Sequence, residues 1–357
     1  MKQLLLTLTI LASTLACTQK NQVLTINGTV VDTTLNGKKA FLGNYSNEQI
    51  IDSCLIADSK FTFTVNTDSL AILRVETGEI YANVLVEKGV VNVTMDRPSV
   101  ISGTTLNEAN TAYETHAKEL YKKMWEEPSE KLREQKASQD SLQNLWNTYR
   151  AAEQEWEEKN FSANQTNVFG LKLLWDKLVQ EQYSVVQIDS LINLNGSLAQ
   201  NFGMIQRTRE AAVNRENTSQ GKMFVDFEAV TLDGSATKLS DYVGNGKYVL
   251  VDFWASWCGP CRAEIPVINE VYQTYKDKGL IVLSVNVWDS KKECEKSIID
   301  LGMNWNHIAC FDNQAPTDTY GINGIPHIIL FAPDGTIEAR ELRGDELKET
   351  VAKVMTK

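Results

Sequence analysis

The sequence of 357 residues predicts an α/β protein built from three successive parts. Between residues 23 and 95, apolar and polar positions alternate between turn signals, which is typical of short strands. From about Leu106 the apolar spacing changes to three and four residues, which indicates helices. After Phe224, strand-like and helix-like runs alternate, and this order predicts a mixed central sheet flanked by helices.

The overall composition places bounds on the partners of the chain. Apolar residues make up 43% of the sequence and charged residues 23%, which is enough for several hydrophobic cores. The formal net charge is −11, so nucleic acid is excluded as an expected partner. Outside the N-terminus, no apolar run is long enough to span a bilayer.

The N-terminus has the pattern of an export signal. Lys2 precedes the short apolar run Leu4–Leu15, and Ala16-Cys17 follows. A small residue before cysteine resembles the bacterial lipoprotein cleavage box, although Thr14 stands where leucine is usual. We therefore expect a signal peptide over 1–17, with Cys17 as the site of lipid attachment and membrane anchoring. A plain cleaved signal with an incidental Cys17 is the alternative.

The segment 18–104 is predicted to be a small all-β domain, a sandwich or a barrel. Turn signals such as Asn36-Gly37 and Lys88-Gly89 separate its apolar runs. No pattern in this part indicates catalysis, and we interpret it as a binding or spacing module. The predicted strands are Val23–Val31, Ala40–Tyr45, Ile50–Ile56, Lys60–Val65, Ala71–Glu76, Ala82–Val86 and Val90–Met95.

The segment 105–220 is predicted to be helical. Tyr113, Ala117, Leu120 and Met124 fall on one helix face, and Pro128 is placed to open a second helix. Apolar stripes of this kind are usually packing surfaces. The segment is expected either to dock the β-domain on the third part or to pair two protomers as a homodimer.

The third part, 221–357, is organised around two cysteines. A buried-type strand ending at Trp254 leads to Trp257-Cys258-Gly259-Pro260-Cys261, and a helical pattern follows. The N-terminus of a helix stabilises an anion, so the pKa of Cys258 should lie below that of an ordinary thiol. Cys261 lies three residues on, over the same helix face, so the two sulfurs can form a disulfide.

Two other interpretations of the cysteine pair are less favourable. Zinc requires four ligands, and the sequence has no second C-x-x-C and no suitable histidine spacing, so no metal site is expected. Inert cysteines would not account for the strand, the Gly-Pro dipeptide and the flanking tryptophans. Of the remaining cysteines, Cys54, Cys294 and Cys310 are expected to be buried thiols, with a Cys294–Cys310 disulfide left open.

The motif carries a family resemblance over about the last 140 residues. The run from Val251 to Arg262 resembles thioredoxin. Together with Arg262–Pro266 and Gly324-Ile325-Pro326, the pattern resembles the envelope-anchored TlpA/ResA-like thiol–disulfide oxidoreductases of the AhpC/TSA-redoxin superfamily. The part before it resembles a domain of unknown function often joined to such proteins. The resemblance implies a thioredoxin fold for 221–357.

We expect Cys258 to be the nucleophile and Cys261 to resolve the mixed disulfide. Trp257 is predicted to contact the substrate beside them. The resemblance further implies that Pro326 is a cis-proline next to the cysteines and that the backbone of Ile325 pairs with an extended substrate. Gly259 and Pro260 complete the predicted substrate-facing turn.

Asp252 and Glu264 are the predicted acid–base residues. Asp252 belongs to a buried strand, so desolvation should raise its pKa and allow it to take the proton of Cys261. TlpA/ResA-like proteins often carry asparagine at that position. Ser284 stands where thioredoxin has a lysine, and His327 where it usually has threonine, which leaves the proton pathway open.

The predicted function is reduction of disulfides in envelope proteins, with cytochrome c maturation as one setting. The resemblance implies a membrane thiol donor, no cofactor, and a periplasm-facing lipoprotein in the cell envelope. A thiol peroxidase is the first alternative, but its usual Pro-x-x-x-Thr-x-x-Cys pattern is absent. A ligand-binding envelope protein with a redox-sensing domain is the second.

Overall fold

The computed structural model describes residues 23–66, 71–180, 183–311 and 314–356. The predicted signal and Cys17 therefore lie outside the described residues. Along the chain, two compact units are divided between Leu174 and Trp175. The mixed α/β class, with a β-rich first part, a helical segment and an α/β last part, is confirmed. The predicted boundary near residue 220 stays a prediction.

The first part is a sandwich of two four-stranded sheets, ordered β4-β1-β7-β8 and β3-β2-β5-β6. One apolar core contains residues of both sheets, among them Leu24 and Leu42. The strands are β1 (Val23–Val30), β2 (Lys39–Asn44), β3 (Ile50–Leu55), β4 (Lys60–Asn66), β5 (Ile72–Thr77), β6 (Ile80–Leu85), β7 (Gly89–Met95) and β8 (Val100–Ser102).

Alternation of apolar residues explains this sandwich. In β4, Phe61, Phe63 and Val65 are buried while Lys60 and Thr62 face outward, as a strand with one covered face requires. The short edge strand β8 was absent from the sequence-based prediction, because three residues carry almost no periodicity.

Four helices follow: α1 (Thr105–Tyr121), α2 (Glu127–Glu134), α3 (Gln139–Asn164) and α4 (Val168–Gln180). As predicted, Pro128 lies in the first turn of a second helix, α2. A π-helical turn, Lys122–Glu126, joins α1 to α2 without leaving helical geometry. Of the predicted stripe, only Tyr113 is buried, and the other three members are partly exposed. The ring of Tyr113 packs against Trp156 and Phe169, at centroid distances of 6.1 and 5.8 Å.

The second unit is built on a seven-stranded sheet. Its strands are β9 (Glu228–Thr231), β10 (Ala236–Lys238), β11 (Val249–Trp254), β12 (Ile281–Val287), β13 (Asn306–Cys310), β14 (His327–Phe331) and β15 (Ile337–Arg340). The spatial order is β10-β9-β13-β12-β11-β14-β15. β11 pairs in parallel with β12 and antiparallel with β14, so the sheet is mixed.

Both faces of this sheet carry a buried apolar core, and β11 is buried throughout. On one face, Leu250 and Trp254 pack with the cysteine pair and with Leu347; on the other, Phe253 packs with residues such as Tyr320. The helices of the unit are α5 (Val185–Asn195), α6 (Ser197–Gln200), α7 (Gly203–Asn217), α8 (Gly259–Tyr275), α9 (Lys291–Asp300), α10 (Ala315–Thr319) and α11 (Gly344–Met355).

The end of α7 packs against the sheet-bearing part of its unit. The Asn214 side chain donates to the carbonyl of Asp318 at 3.0 Å, and Arg340 donates to the carbonyl of Thr218 at 2.8 Å. Gly321 has a φ of +59°, and a Cβ there would lie 2.2 Å from the carbonyl oxygen of Ala211. Glycine is therefore required for this approach.

Cys294 and Cys310 do not pair. Cys294 lies in the core on the α8 side of the sheet, and Cys310 lies in the core on the opposite side. Both are free and buried, as small apolar residues often are. Within the described part of the chain, no helix has both the length and the apolar character needed to cross a membrane.

Candidate active site

The turn between β11 and α8 places both cysteines at a helix N-terminus. Cys258 is the N-cap of α8, and its sulfur accepts the backbone N–H of Cys261 at 3.1 Å. The two sulfurs are joined in a disulfide. After reduction, the same N–H and the positive end of the helix would stabilise a Cys258 thiolate. The local sequence permits this start because Pro260 needs no N–H partner in the first turn.

A second loop holds the residues just before the cysteines. The Asp289 carboxylate, after the end of β12, accepts the backbone N–H of Ser256 at 2.6 Å and its hydroxyl at 2.9 Å. The indole N–H of Trp257 donates to the carbonyl of Trp288 at 2.8 Å. Since the carboxyl ends of parallel β11 and β12 lie side by side, the loops that follow them can brace each other.

The loop before β14 forms the other side of the site. The Ile325–Pro326 peptide bond is cis, and the carbonyl oxygen of Ile325 lies 3.7 Å from the sulfur of Cys258. Arg343 donates to the carbonyl of Pro326 at 2.6 Å. The structure thus brings Ile325 and Pro326 beside the disulfide.

Exposure differs sharply across the site. Trp257 is 62% exposed, whereas Cys258 is only 4% exposed. Gly259 and Pro260 are exposed, and Ile325 is half-buried. The accessible surface around the disulfide therefore includes an indole ring, the turn between the cysteines and part of Ile325.

Asp252 lies on the face of β11 that packs with the cysteine pair, since it alternates with Leu250 and Trp254. It is 1% exposed. Burial raises the pKa of this carboxyl to about 7, the Ser284 hydroxyl lowers it, and the charge of Glu264 raises it. A buried carboxyl with this pKa can exchange a proton near neutral pH.

A short hydrogen-bond chain approaches Asp252 from the neighbouring strand. The indole N–H of Trp305 donates to the Ser284 hydroxyl at 2.9 Å, and that hydroxyl donates to Asp252 Oδ2 at 3.4 Å. Because Trp305 occupies a lone pair of the hydroxyl oxygen, it orients the Ser284 proton toward the carboxylate. Ser284, which stands where thioredoxin has a lysine, thus gives Asp252 an uncharged hydrogen-bond donor.

Glu264 stands one helical turn after the cysteines, but its carboxylate points to another element. Oε1 accepts the backbone N–H of Gly344, the first residue of α11, at 2.7 Å. This is the position where a negative charge stabilises a helix. Glu264 therefore connects α8 to α11 and acts on Asp252 through its charge.

His327 follows Pro326 and is buried, as its place on a core strand predicted. Its Nε2 lies 3.0 Å from the guanidinium of Arg340. Burial, and then the charges of Arg340 and Arg343, lower the pKa of His327 to about 3. The ring is thus neutral at physiological pH and accepts the Arg340 hydrogen bond.

Sequence reasoning missed Asp289, Trp305 and Arg343 as members of this site. Asp289 could have been found, because polar residues just after buried parallel strands gather at one edge of a sheet. Trp305 precedes β13 and Arg343 precedes α11, and neither position carries a recognisable local signal. Their roles depend on which segments the fold brings together.

A disulfide of the C-x-x-C type at a helix N-terminus, after the central strand of a mixed sheet and beside a cis-proline loop, defines a thioredoxin-fold thiol–disulfide oxidoreductase. The sequence model of the AhpC/TSA family matches residues 220–340. A domain of unknown function, DUF4369, matches residues 24–110.

Curated relatives agree with this class. The thiol-disulfide oxidoreductase ResA of Geobacillus kaustophilus is 32% identical over 137 residues, which are 38% of this chain and 71% of that protein. The ResA of Bacillus subtilis is 30% identical over 123 residues, 34% of this chain and 67% of that protein. The chain belongs to the ResA thiol-disulfide oxidoreductase family, through its C-terminal part.

Solved structures are similar over the same part. The thioredoxin domain of a thiol-disulfide oxidoreductase from Bacteroides vulgatus is 36% identical, with a TM-score of 0.36, and the match covers 38% of this chain and 98% of that one. A putative thiol:disulfide interchange protein DsbE from Chlorobium tepidum is 29% identical, with a TM-score of 0.35. The match covers 38% of this chain and 98% of that chain.

Proposed function

We propose that this oxidoreductase works as a reductase of disulfides in proteins of the cell envelope. The observation that carries the proposal is the disulfide of Cys258 and Cys261 at the start of α8, with Asp252 buried on the same face of β11. The membership of the ResA family supports the reaction class. The resemblance of the motifs to envelope-anchored proteins supports the compartment.

The reaction takes place in two exchanges at sulfur. In the reduced protein the Cys258 thiolate attacks one sulfur of the substrate disulfide, and the other substrate sulfur leaves as a thiolate. The Cys261 thiolate then attacks the Cys258 sulfur of the mixed disulfide and releases the second substrate sulfur. The substrate gains two electrons and two protons, and the protein is left as the Cys258–Cys261 disulfide.

Asp252 is proposed to receive the proton of Cys261 before that second attack. A pKa of about 7 lets it accept a proton and release it again at neutral pH. Ser284 is proposed to hold the carboxylate through its hydroxyl. Glu264 is proposed as a positioning residue, because its carboxylate is committed to the N–H of Gly344.

Substrate contact is proposed for the exposed Trp257, Gly259 and Pro260. The backbone of Ile325, next to Pro326, is proposed to pair with an extended stretch of the substrate around its cysteine. Such pairing favours unfolded or locally extended substrates, since a strand partner must expose its own N–H and C=O groups.

Localisation follows from the N-terminal pattern. We infer export by the signal in residues 1–17 and attachment to the envelope membrane through lipid on Cys17, with the redox part facing the periplasm. Since that compartment is oxidising, a membrane thiol donor must return the protein to its dithiol form. Apocytochromes c are one substrate group consistent with the ResA resemblance.

Mixed-disulfide trapping tests the substrate assignment. Cys261→Ala removes the resolving thiol, so we expect covalent adducts of Cys258 with envelope proteins, detected by non-reducing electrophoresis and mass spectrometry. The double variant Cys258→Ala/Cys261→Ala is the matched control. Absence of adducts in the single variant, with efficient turnover of hydrogen peroxide by the unmodified protein, would replace the reductase by the peroxidase alternative.

Anchoring has its own test. Cys17→Ser removes the proposed lipid attachment, so the protein is expected to move from the membrane fraction to the periplasmic extract after export. Recovery of the unmodified protein in that extract would refute lipidation and favour a plain cleaved signal.

A further inference from the structure

A cavity of about 550 Å³ lies in the β-sandwich part, within the first compact unit. It is bordered by β6 and β8, the last strands of the two sheets, and by α1. A volume of this size is in the range of sites for small ligands. The edge of a sheet presents unpaired N–H and C=O groups, so what satisfies those of β6 shows what the cavity can bind.

Side chains form hydrogen bonds with several of the outward-facing backbone groups of β6. The amide of Asn107 bonds to both the N–H and the C=O of Leu85, at 2.9 and 2.8 Å, as a neighbouring strand would. The Ser99 hydroxyl donates to the carbonyl of Tyr81 at 3.0 Å. Outward groups alternate along an antiparallel strand, so the N–H and C=O of Asn83 also point away from β5. Asn83 lines the cavity.

Asn110 of α1 supplies a second polar group to the same cavity. Its residue is 5% exposed, and its Nδ2 donates to Glu114 at 3.3 Å. Among the residues that the structure describes, nothing hydrogen-bonds to its Oδ1. A buried amide oxygen without a partner is unfavourable, so a ligand with an N–H group would be favoured here.

The charged lining adds a further restriction. Three carboxylates, from Glu79, Asp96 and Glu114, face two cations, from Arg97 and Lys118. Arg97 is already paired with Glu79 at 2.9 Å. Glu114 is paired with Lys172 at 3.3 Å, so the charges around the cavity balance. A balanced lining offers no counter-charge to a charged ligand and favours an uncharged one.

We propose that this cavity binds a short, extended peptide segment with uncharged side chains, whose main chain pairs with Asn83 and donates one N–H to Asn110 Oδ1. One residue of a peptide offers the acceptor and donor that the N–H and C=O of Asn83 require. The inference goes beyond the proposed redox function, because it assigns a separate binding role to the β-sandwich part.

The test is a titration of the oxidised full-length protein labelled with ¹⁵N-asparagine. The probes are acetyl-tetraalanine amide, the acidic peptide acetyl-Ala-Glu-Glu-Ala-amide, and maltose. The neutral peptide should give saturable shifts of the Asn83 amide and the Asn110 side-chain NH₂, and the acidic peptide should bind at least several-fold more weakly. No disulfide exchange enters this measurement, so its failure and the failure of the proposed reductase are distinguishable.

Two variants test the named contacts. Asn110→Leu removes the acceptor at nearly the same volume and should weaken peptide binding at least tenfold, whereas Asn92→Leu, the same change on the exposed face of β7, should not. Ser99→Ala frees the Tyr81 carbonyl, lengthens the open edge and should strengthen binding. Unchanged affinity in both Asn110→Leu and Ser99→Ala, equal shifts with maltose, or no shift at Asn83 would overturn the proposal.

Discussion

At the scale of single residues, the central group is the carboxyl of Asp252. Its strand is covered on both sides, so water cannot stabilise the charged form, and desolvation is the main reason for its raised pKa. The only hydrogen-bond donor recorded for it within the described residues is the Ser284 hydroxyl.

Asp252→Asn should slow the resolution of the mixed disulfide, on the order of 10²-fold above pH 7, because a general base is lost. In the unmodified protein the resolution rate should rise as pH passes through about 7, where Asp252 becomes able to accept a proton. The variant should lack that inflection. Stopped-flow fluorescence with a Cys258-linked model substrate measures both quantities.

Ser284→Ala is the matched control for the kinetic prediction. The Ser284 hydrogen bond lowers the pKa of Asp252, so its removal should move the inflection to higher pH and leave the maximal rate nearly unchanged. Trp305→Phe should shift the inflection in the same direction, because the indole no longer orients that hydroxyl. Identical pH profiles for Asp252→Asn and the unmodified protein would transfer proton acceptance to water.

Asp252→Asn should also stabilise the oxidised protein at pH 8. The folded pKa, about 7, lies above the unfolded value of 3.8, so the folded state binds more protons between these values. Stability therefore falls as pH rises from about 4 to 7, and the loss is complete above 7. At roughly 1.4 kcal/mol per pKa unit, Asp252→Asn should regain up to about 4 kcal/mol of the free energy of unfolding that ionisation of Asp252 removes.

Native-state hydrogen exchange of β11 amides measures the difference in opening free energy between Asp252→Asn and the unmodified protein. The measurement is made at pH 8 and near pH 4.5, and at the lower pH the difference should be small. Asp334→Asn serves as the control of opposite sign, because backbone hydrogen bonding lowers the pKa of that exposed carboxyl. The stabilisation of the folded state by the Asp334 carboxylate should be lost as pH falls. Equal opening free energies for Asp252→Asn and the unmodified protein at pH 8 would contradict the buried-carboxyl account.

At the scale of secondary-structure elements, α8 and α11 are connected by two acidic side chains of α8. Glu264 accepts the first N–H of α11, and Glu270 forms a surface ion pair with Lys348 at 2.6 Å. The first contact satisfies a backbone group at a helix terminus, whereas exposed ion pairs contribute little. The pair of contacts thus offers a matched comparison.

Glu264→Gln should destabilise the protein by about 0.5–1 kcal/mol, since a charge at a helix N-terminus is lost. The charge of Glu264 raises the pKa of Asp252, so the kinetic inflection should also move to lower pH. Glu270→Gln should change neither quantity measurably. A uniform fall in the resolution rate at every pH in Glu264→Gln would instead make Glu264 the proton acceptor.

At the scale of the whole molecule, the balance between dithiol and disulfide decides the direction of the reaction. Gly259-Pro260 matches thioredoxin, whose potential is about −270 mV, against about −120 mV for the periplasmic oxidant DsbA. We expect a value near the reductant end for the full-length protein equilibrated with glutathione buffers. A potential above about −180 mV would contradict a reductase.

Pro260→His provides the control for that measurement. A histidine cation at the first turn of α8 would stabilise the Cys258 thiolate and hence the reduced form, so the potential should rise. An unchanged potential would show that the dipeptide does not set the balance in this protein.

The periodicity of the chain was sufficient to predict most elements. Alternation in β4, and the run of β11 that is apolar except for Asp252, correspond to strands with one or both faces covered. The prediction was less successful where a segment is short or where two geometries merge. β8 has three residues, and the π-helical turn before Pro128 keeps a helical spacing that hides it.

The sequence by itself determined the reaction class, because a C-x-x-C between a buried strand and a helix has a chemical meaning that local order fully expresses. It also placed Asp252 in a buried strand, and burial alone accounts for the direction of its pKa shift. Only the tertiary structure showed that Glu264 serves α11, that Trp305 orients Ser284, and that Asp289 braces Ser256. Each of these contacts joins residues that lie 21 to 80 positions apart in the chain. Periodicity describes only near neighbours in sequence, so the packing of the sheet and its helices decides these contacts.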